Sequence, residues 1–85
     1  MPYIKKTERE YYNNIIKELA RYDINANGDL NYILYAYFKN YYIKKDISYN
    51  RIKNYISELE ECIAEIRRTV LAPYEDQKMQ ENGTI

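Results

Sequence analysis

The chain has 85 residues, with thirteen Lys and Arg balanced by thirteen Asp and Glu, no histidine, no tryptophan and a single cysteine. Zero net charge removes the electrostatic footprint that nucleic-acid affinity rests on, and without histidine or a second cysteine there is no material for a serine–histidine triad, a disulfide framework or a usual zinc site. No apolar run approaches the roughly 18 residues of a membrane span, and the opening MPYIKKTERE lacks the apolar centre of a signal peptide.

These exclusions predict a cytoplasmic protein with neither a nucleic-acid polymer nor a membrane as partner. A domain this small buries a low fraction of its unfolded surface, so a homo-oligomer is expected. Twelve tyrosines, twelve isoleucines, nine asparagines and eight lysines are what AT-rich codons supply. The abundance of tyrosine therefore needs no functional explanation by itself, whatever individual rings do.

After an extended arm over residues 1–6, Thr7 and Glu10 have the spacing of a capping box. Tyr12, Ile15, Ile16 and Leu19 recur at helical spacing, and Gly28 in NANG is the stop signal, which predicts a first helix from Glu8 to Tyr22. Asp29 then caps a second helix. Its residues Leu30, Ile33, Leu34, Tyr37, Phe38 and Tyr41 form one apolar stripe ending near Ile43. Because Tyr32, Tyr35 and Tyr42 fall partly off that stripe, this helix is expected to be central and contacted from two sides.

Ser48 is placed as an N-cap, flanked by Ile47 and Ile52 at the spacing of a hydrophobic staple, so a third helix starts at Tyr49. In it Ile52, Ile56, Leu59, Ile63, Ile66 and Val70 alternate steps of four and three, the seam of a coiled-coil-like helix. Cys62 beside the seam reads as a small boundary hydrophobe. Glu58, Glu61 and Glu65 line another face, which reads as solvated because a carboxylate metal site of the Glu-x-x-His kind has no histidine to use. Neither a metal nor a cofactor is expected.

Pro73 suits the first position of a new short helix that follows an abrupt corner. Glu75 and Asp76 would lie in its first turn, favourable against the dipole, and Asn82 with Gly83 would stop it, leaving 83–85 as a tail. The predicted fold is all-α: one domain over 1–85, a small antiparallel three-helix bundle with a short C-terminal fourth helix.

Several short pieces spread along the chain stand out: MPYI (Met1 to Ile4), GDLNY (Gly28 to Tyr32), Glu65 and Arg68, APYED (Ala72 to Asp76), Lys78, and ENG (Glu81 to Gly83). In these the chain resembles a family of short proteins of phages and bacteria that has no assigned biochemical role. The family pattern often ends in Asp-Val after the glycine, where this chain has Thr84 and Ile85. That departure weighs against a role for an acidic group at the C-terminus.

The shared pieces are polar or turn-forming rather than core, which suggests a site. An antiparallel bundle would bring Asp29, Asn31 and Tyr32 towards Glu65, Arg68 and the corner residues Tyr74, Glu75, Asp76 and Lys78. A guanidinium, tyrosine rings and carboxylates in one place suit an anionic, planar, hydroxyl-bearing molecule. The leading expectation is a non-enzymatic protein that sequesters a nucleotide-derived ligand of cyclic-nucleotide or ADP-ribose type, as a phage counter-defence sponge would. The alternative is a helical protein–protein interaction module that docks a host or viral protein through its tyrosine-rich surface. An enzyme ranks third, because only carboxylates are available for acid–base work. A concave pocket at the Arg68 corner would favour the first reading, and a flat or convex tyrosine patch the second.

Overall fold

A computed structural model describes residues 4–25 and 27–83. The expectations for Met1 to Tyr3 of the arm, and for Thr84 and Ile85, lie outside the described residues. The described chain is helical and contains no strand. Three helices follow one another: α1 (Lys6–Arg21); α2 (Asp29–Tyr37), prolonged by a π turn over Phe38–Tyr42; and α3, made of Tyr49–Ile66, a π turn over Arg67–Leu71, and Ala72–Asn82. They fall into two compact units, Met1–Lys45 with α1 and α2, and Asp46–Ile85 with α3.

In the first unit, α1 begins two residues earlier than its sequence signals imply. Lys5 is the residue at the N-cap, with extended φ and ψ of −63° and 151° and no side-chain cap bond. Thr7 and Glu10 therefore lie inside the helix and form no capping box. The entry is held instead by Arg9, whose Nε donates to the Ile4 carbonyl at 3.0 Å while its backbone N–H donates to the Lys5 carbonyl at 3.0 Å.

The exit from α1 also differs from expectation. The helix ends before the NANG segment: the Tyr22 N–H closes a tighter turn on the Leu19 carbonyl at 3.3 Å, and Asp23 follows with φ of 47°. Aspartate is one of the few side chains that enters this left-handed region at modest cost. Gly28, at φ of 108°, is the residue at the N-cap of α2 rather than the stop of α1. Asp29 consequently becomes the first residue of α2, where its charge favours the positive end of the helix but does not cap it.

In the second unit the sequence signals for the start of α3 are met. Ser48 has extended φ and ψ of −139° and 156°, and its Oγ accepts from the Arg51 N–H at 3.2 Å. Ile47 is 76% exposed, so the expected staple is not closed. At the other end, the expected corner before Pro73 is absent. Ile66, Arg67, Leu71 and Ala72 all keep right-handed helical dihedrals, and the N–H of Ala72 bonds the carbonyl of Arg67.

The segment predicted as a separate fourth helix is thus the continuation of α3, a rod about 50 Å long at ~1.5 Å per residue. Inside an α-helix the Pro73 ring would clash with the carbonyl of Thr69, four residues back. The turn just before it is widened to i→i+5 bonding, which accommodates the ring without a break.

Among the described residues none is buried. The apolar side chains of α1 (Ile15, Ile16) and of α3 (Ile56, Ile63, Ile66) are each roughly half exposed, and Ile52 and Leu59 are half-buried. Helices of ordinary sequence draw most of their stability in water from covering such faces. The stability contributed by local signals is therefore visible against a small background. Replacing Ser48 by Ala is expected to cost about 1 kcal/mol by loss of the cap, whereas Thr7→Ala, inside α1, should stay within about 0.5 kcal/mol. Thermal melts followed by circular dichroism measure both, and equal losses at the two positions would restore the capping box.

Candidate functional site

The nine residues singled out in the sequence divide between the two units. Asp29, Asn31 and Tyr32 lie in the first turn of α2, and Glu65, Arg68, Tyr74, Glu75, Asp76 and Lys78 lie along α3.

On α3 the charged members have neighbours of their own. Arg68 Nη2 donates to Glu65 Oε1 one turn back, with Arg68 70% and Glu65 22% exposed at the side chain. The Thr69 hydroxyl donates to the Glu65 carbonyl at 2.8 Å. A turn beyond the proline, Lys78 Nζ stands 5.7 Å from the centre of the Tyr74 ring and 3.1 Å from Glu81 Oε2. Gln77 Nε2 donates to the other oxygen of Glu81 at 3.4 Å. Glu75 and Asp76 are exposed on the same stretch. Because α3 runs straight through Pro73, these groups follow one another along a helix surface and do not gather round a corner.

In the first unit, Asp29 and Tyr32 line a hollow of about 510 Å³ together with Leu19, Tyr22, Ile24 and Ile33. It lies where the end of α1, the turn through Asp23 and the start of α2 approach one another. Asn31 is exposed and is not among its lining residues. The lining is mostly apolar, with the Asp29 carboxylate and two tyrosines as its polar groups. Leu19, Tyr22, Ile24 and Ile33 were not singled out as site residues from the sequence. The signal that could have found them is the pair Tyr22 and Ile24, which stay apolar across a turn where polar residues are usual.

The remaining feature of the first unit is aromatic. Through the π turn, residues four apart come nearly one above the other. Tyr37 stacks on Tyr41 with ring centres 6.2 Å apart, and Phe38 on Tyr42 at 6.0 Å. Lys39 Nζ lies 6.0 Å from the centre of the Tyr35 ring. Tyr32, Tyr35 and Tyr41 are 72%, 59% and 68% exposed. Large rings with a polar tip and so much free area are the side chains most enriched at protein interfaces. The sequence already pointed to this surface through the tyrosines off the apolar stripe.

Among the described residues no three of Cys, Asp and Glu stand close enough to hold a metal ion, and no helix is long and apolar enough to cross a membrane. The model of the family described as Domain of unknown function (DUF6899) matches residues 1–85, so the chain belongs to that family. No curated protein and no solved structure matches it.

An exposed pair such as Glu65 and Arg68 contributes little stability, since water screens it and two long side chains must be held still. Arg68→Ala should lower stability by about 0 to 1 kcal/mol. A double-mutant cycle with Glu65→Ala measures the coupling, and a loss on Arg68→Ala well above that coupling would mean that Arg68 is held by more than its helix neighbour.

Proposed function

We propose that this protein is a non-enzymatic helical interaction module whose α2 surface, with Tyr32, Tyr35 and Tyr41 at its centre, docks another protein. The observation that carries this reading is the exposure of Tyr32 and Tyr35 on α2 and of Tyr41 on the π turn that follows it. Stacking on Tyr37 fixes the orientation of the Tyr41 ring in advance, so little of its side-chain freedom is lost on binding. The family resemblance adds a setting, a phage or bacterial protein acting in the cytoplasm of the cell that makes it, with a host or viral protein as partner.

The antiparallel three-helix bundle expected from the short α2–α3 connection is the competing arrangement for α3, since it would cover the apolar side of that helix within one chain.

A second reading, sequestration of a nucleotide-derived ligand, is favoured by one observation, the hollow that Asp29 and Tyr32 share in the first unit. A ring stacked on Tyr32 or Tyr22 and a hydroxyl or amine on Asp29 would suit it. The half of the site expected to hold phosphate has weaker support, because Arg68 is occupied by Glu65 and belongs to the other unit.

Two sets of variants separate these readings. Tyr35→Ser with Tyr41→Ser should leave the chain folded, with a loss of about 0.5 to 1.5 kcal/mol for the Tyr37–Tyr41 stack. The same pair should weaken a partner recovered with the wild-type chain by about 2 kcal/mol or more, the scale of an interface hot spot. Calorimetry against cyclic dinucleotides and ADP-ribose derivatives tests the other reading. Heat that is present with wild type and lost in Asp29→Ala with Tyr32→Ala would move the function to the hollow. Undiminished protein binding by the double serine variant would remove the tyrosine surface from it.

A further inference from the structure

Among the described residues of its own unit α3 is the only helix, and its apolar ridge has no other element among them to cover it. The ridge runs from Ile52 to Val70 with steps of four and three, about 27 Å at ~1.5 Å per residue. The apolar residues of α1 from Tyr12 to Leu19 cover only about 10 Å on the same scale, and those of α2 from Leu30 to Tyr41 about 16 Å. A second α3 is the one element in the chain that matches the ridge in both length and period.

We infer that α3 is covered by α3 of a second copy of this chain, parallel and in register. This deepens the interaction reading by assigning a partner to α3, and it leaves the tyrosine surface of α2 free for another protein.

The flanking charges select the orientation. In heptad terms Ile56, Ile63 and Val70 occupy a, and Ile52, Leu59 and Ile66 occupy d, an apolar seam without a break. Lys53, Glu60 and Arg67 then fall at e, with Tyr55, Cys62 and Thr69 at g. An antiparallel pair using the whole ridge would set Lys53 beside Arg67 of the other copy and bring the two Glu60 side chains together. Sliding that pair by one heptad relieves the repulsion but leaves Ile66 and Val70 uncovered. The parallel pair covers every position of the ridge, placing Glu60 near Tyr55 and Arg67 near Cys62 of the other copy, with no like charges opposed.

The test uses the full chain at micromolar concentration. Sedimentation equilibrium of wild type should give the mass of two or more chains, and a monomer that still melts cooperatively would overturn the inference, because the ridge would then be covered within one chain. Orientation is read with Ile56→Cys in a Cys62→Ser background. An antiparallel pair using the whole ridge would set position 56 of the two copies about 15 Å apart along the axis and a parallel, in-register seam brings them together, so mild oxidation should convert at least half of the protein to a covalent dimer. An oligomer of wild type and of this variant that stays uncrosslinked overturns the parallel arrangement. If the variant does not fold, spin labels on Glu81→Cys in a Cys62→Ser background give the same answer: one short inter-label distance supports a parallel pair, and a distance of about 60 Å, as an antiparallel pairing of the whole ridge would give at ~1.5 Å per residue, overturns it. Repeating sedimentation with Tyr35→Ser and Tyr41→Ser keeps the two proposals apart, since assembly should survive the loss of the α2 surface.

Discussion

An α-helix closes its backbone hydrogen bonds within itself, but in water a helix of ordinary sequence holds together mainly through the apolar face it covers. Every later feature of this protein depends on that requirement. The sequence writes a stripe on each of its helices, yet no described residue is buried. Local signals, a serine cap, a left-handed aspartate and a proline accommodated by a widened turn, decide where helices start, stop and continue. They do not supply a core. The stripes require surfaces that lie beyond the element that carries them.

The two π turns show how the same backbone serves different ends. After Tyr37 the widened turn, closed by the Ile43 N–H on the Phe38 carbonyl at 3.1 Å, aligns aromatic rings in pairs and makes an ordered interaction surface. After Ile66 the widened turn lets α3 pass through Pro73. The corner expected from the sequence is thereby spread along a rod. Neighbours three residues apart, Glu65 with Arg68 and Lys78 with Glu81, hold four of the charges on it as helix-surface pairs.

Much of the secondary structure was legible from residue spacing. The start of α3 at Ser48 and its seam follow from capping chemistry and heptad period, and α2 lies within a residue of its expected ends. The misses have physical causes. Thr7 offered a cap that the chain did not use because helical dihedrals already begin at Lys6, and Gly28 was read as a stop when Asp23 had turned the chain earlier. Proline was taken as a helix start, its commonest role in such a position, whereas here a π turn absorbs it. Of the nine candidate site residues, Asp29 and Tyr32 share a hollow, but its apolar walls depend on how the α1 exit folds, which no periodicity reports. Tyr32 and Tyr35 of the tyrosine surface are visible in the sequence as rings off the stripe, whereas Tyr41 falls on it. That Tyr37 and Phe38 stack on Tyr41 and Tyr42 is not visible there, because it depends on the widened turn.

The central claim is that the apolar faces are completed by contacts between molecules. Amide hydrogen exchange of residues 52–70, followed at protein concentrations from nanomolar to high micromolar, tests it most directly. The account predicts fast exchange in the dilute sample and protection that rises with concentration, since only association covers the α3 ridge. Strong protection of the same residues that is independent of concentration would contradict it and place the covering surface within a single chain.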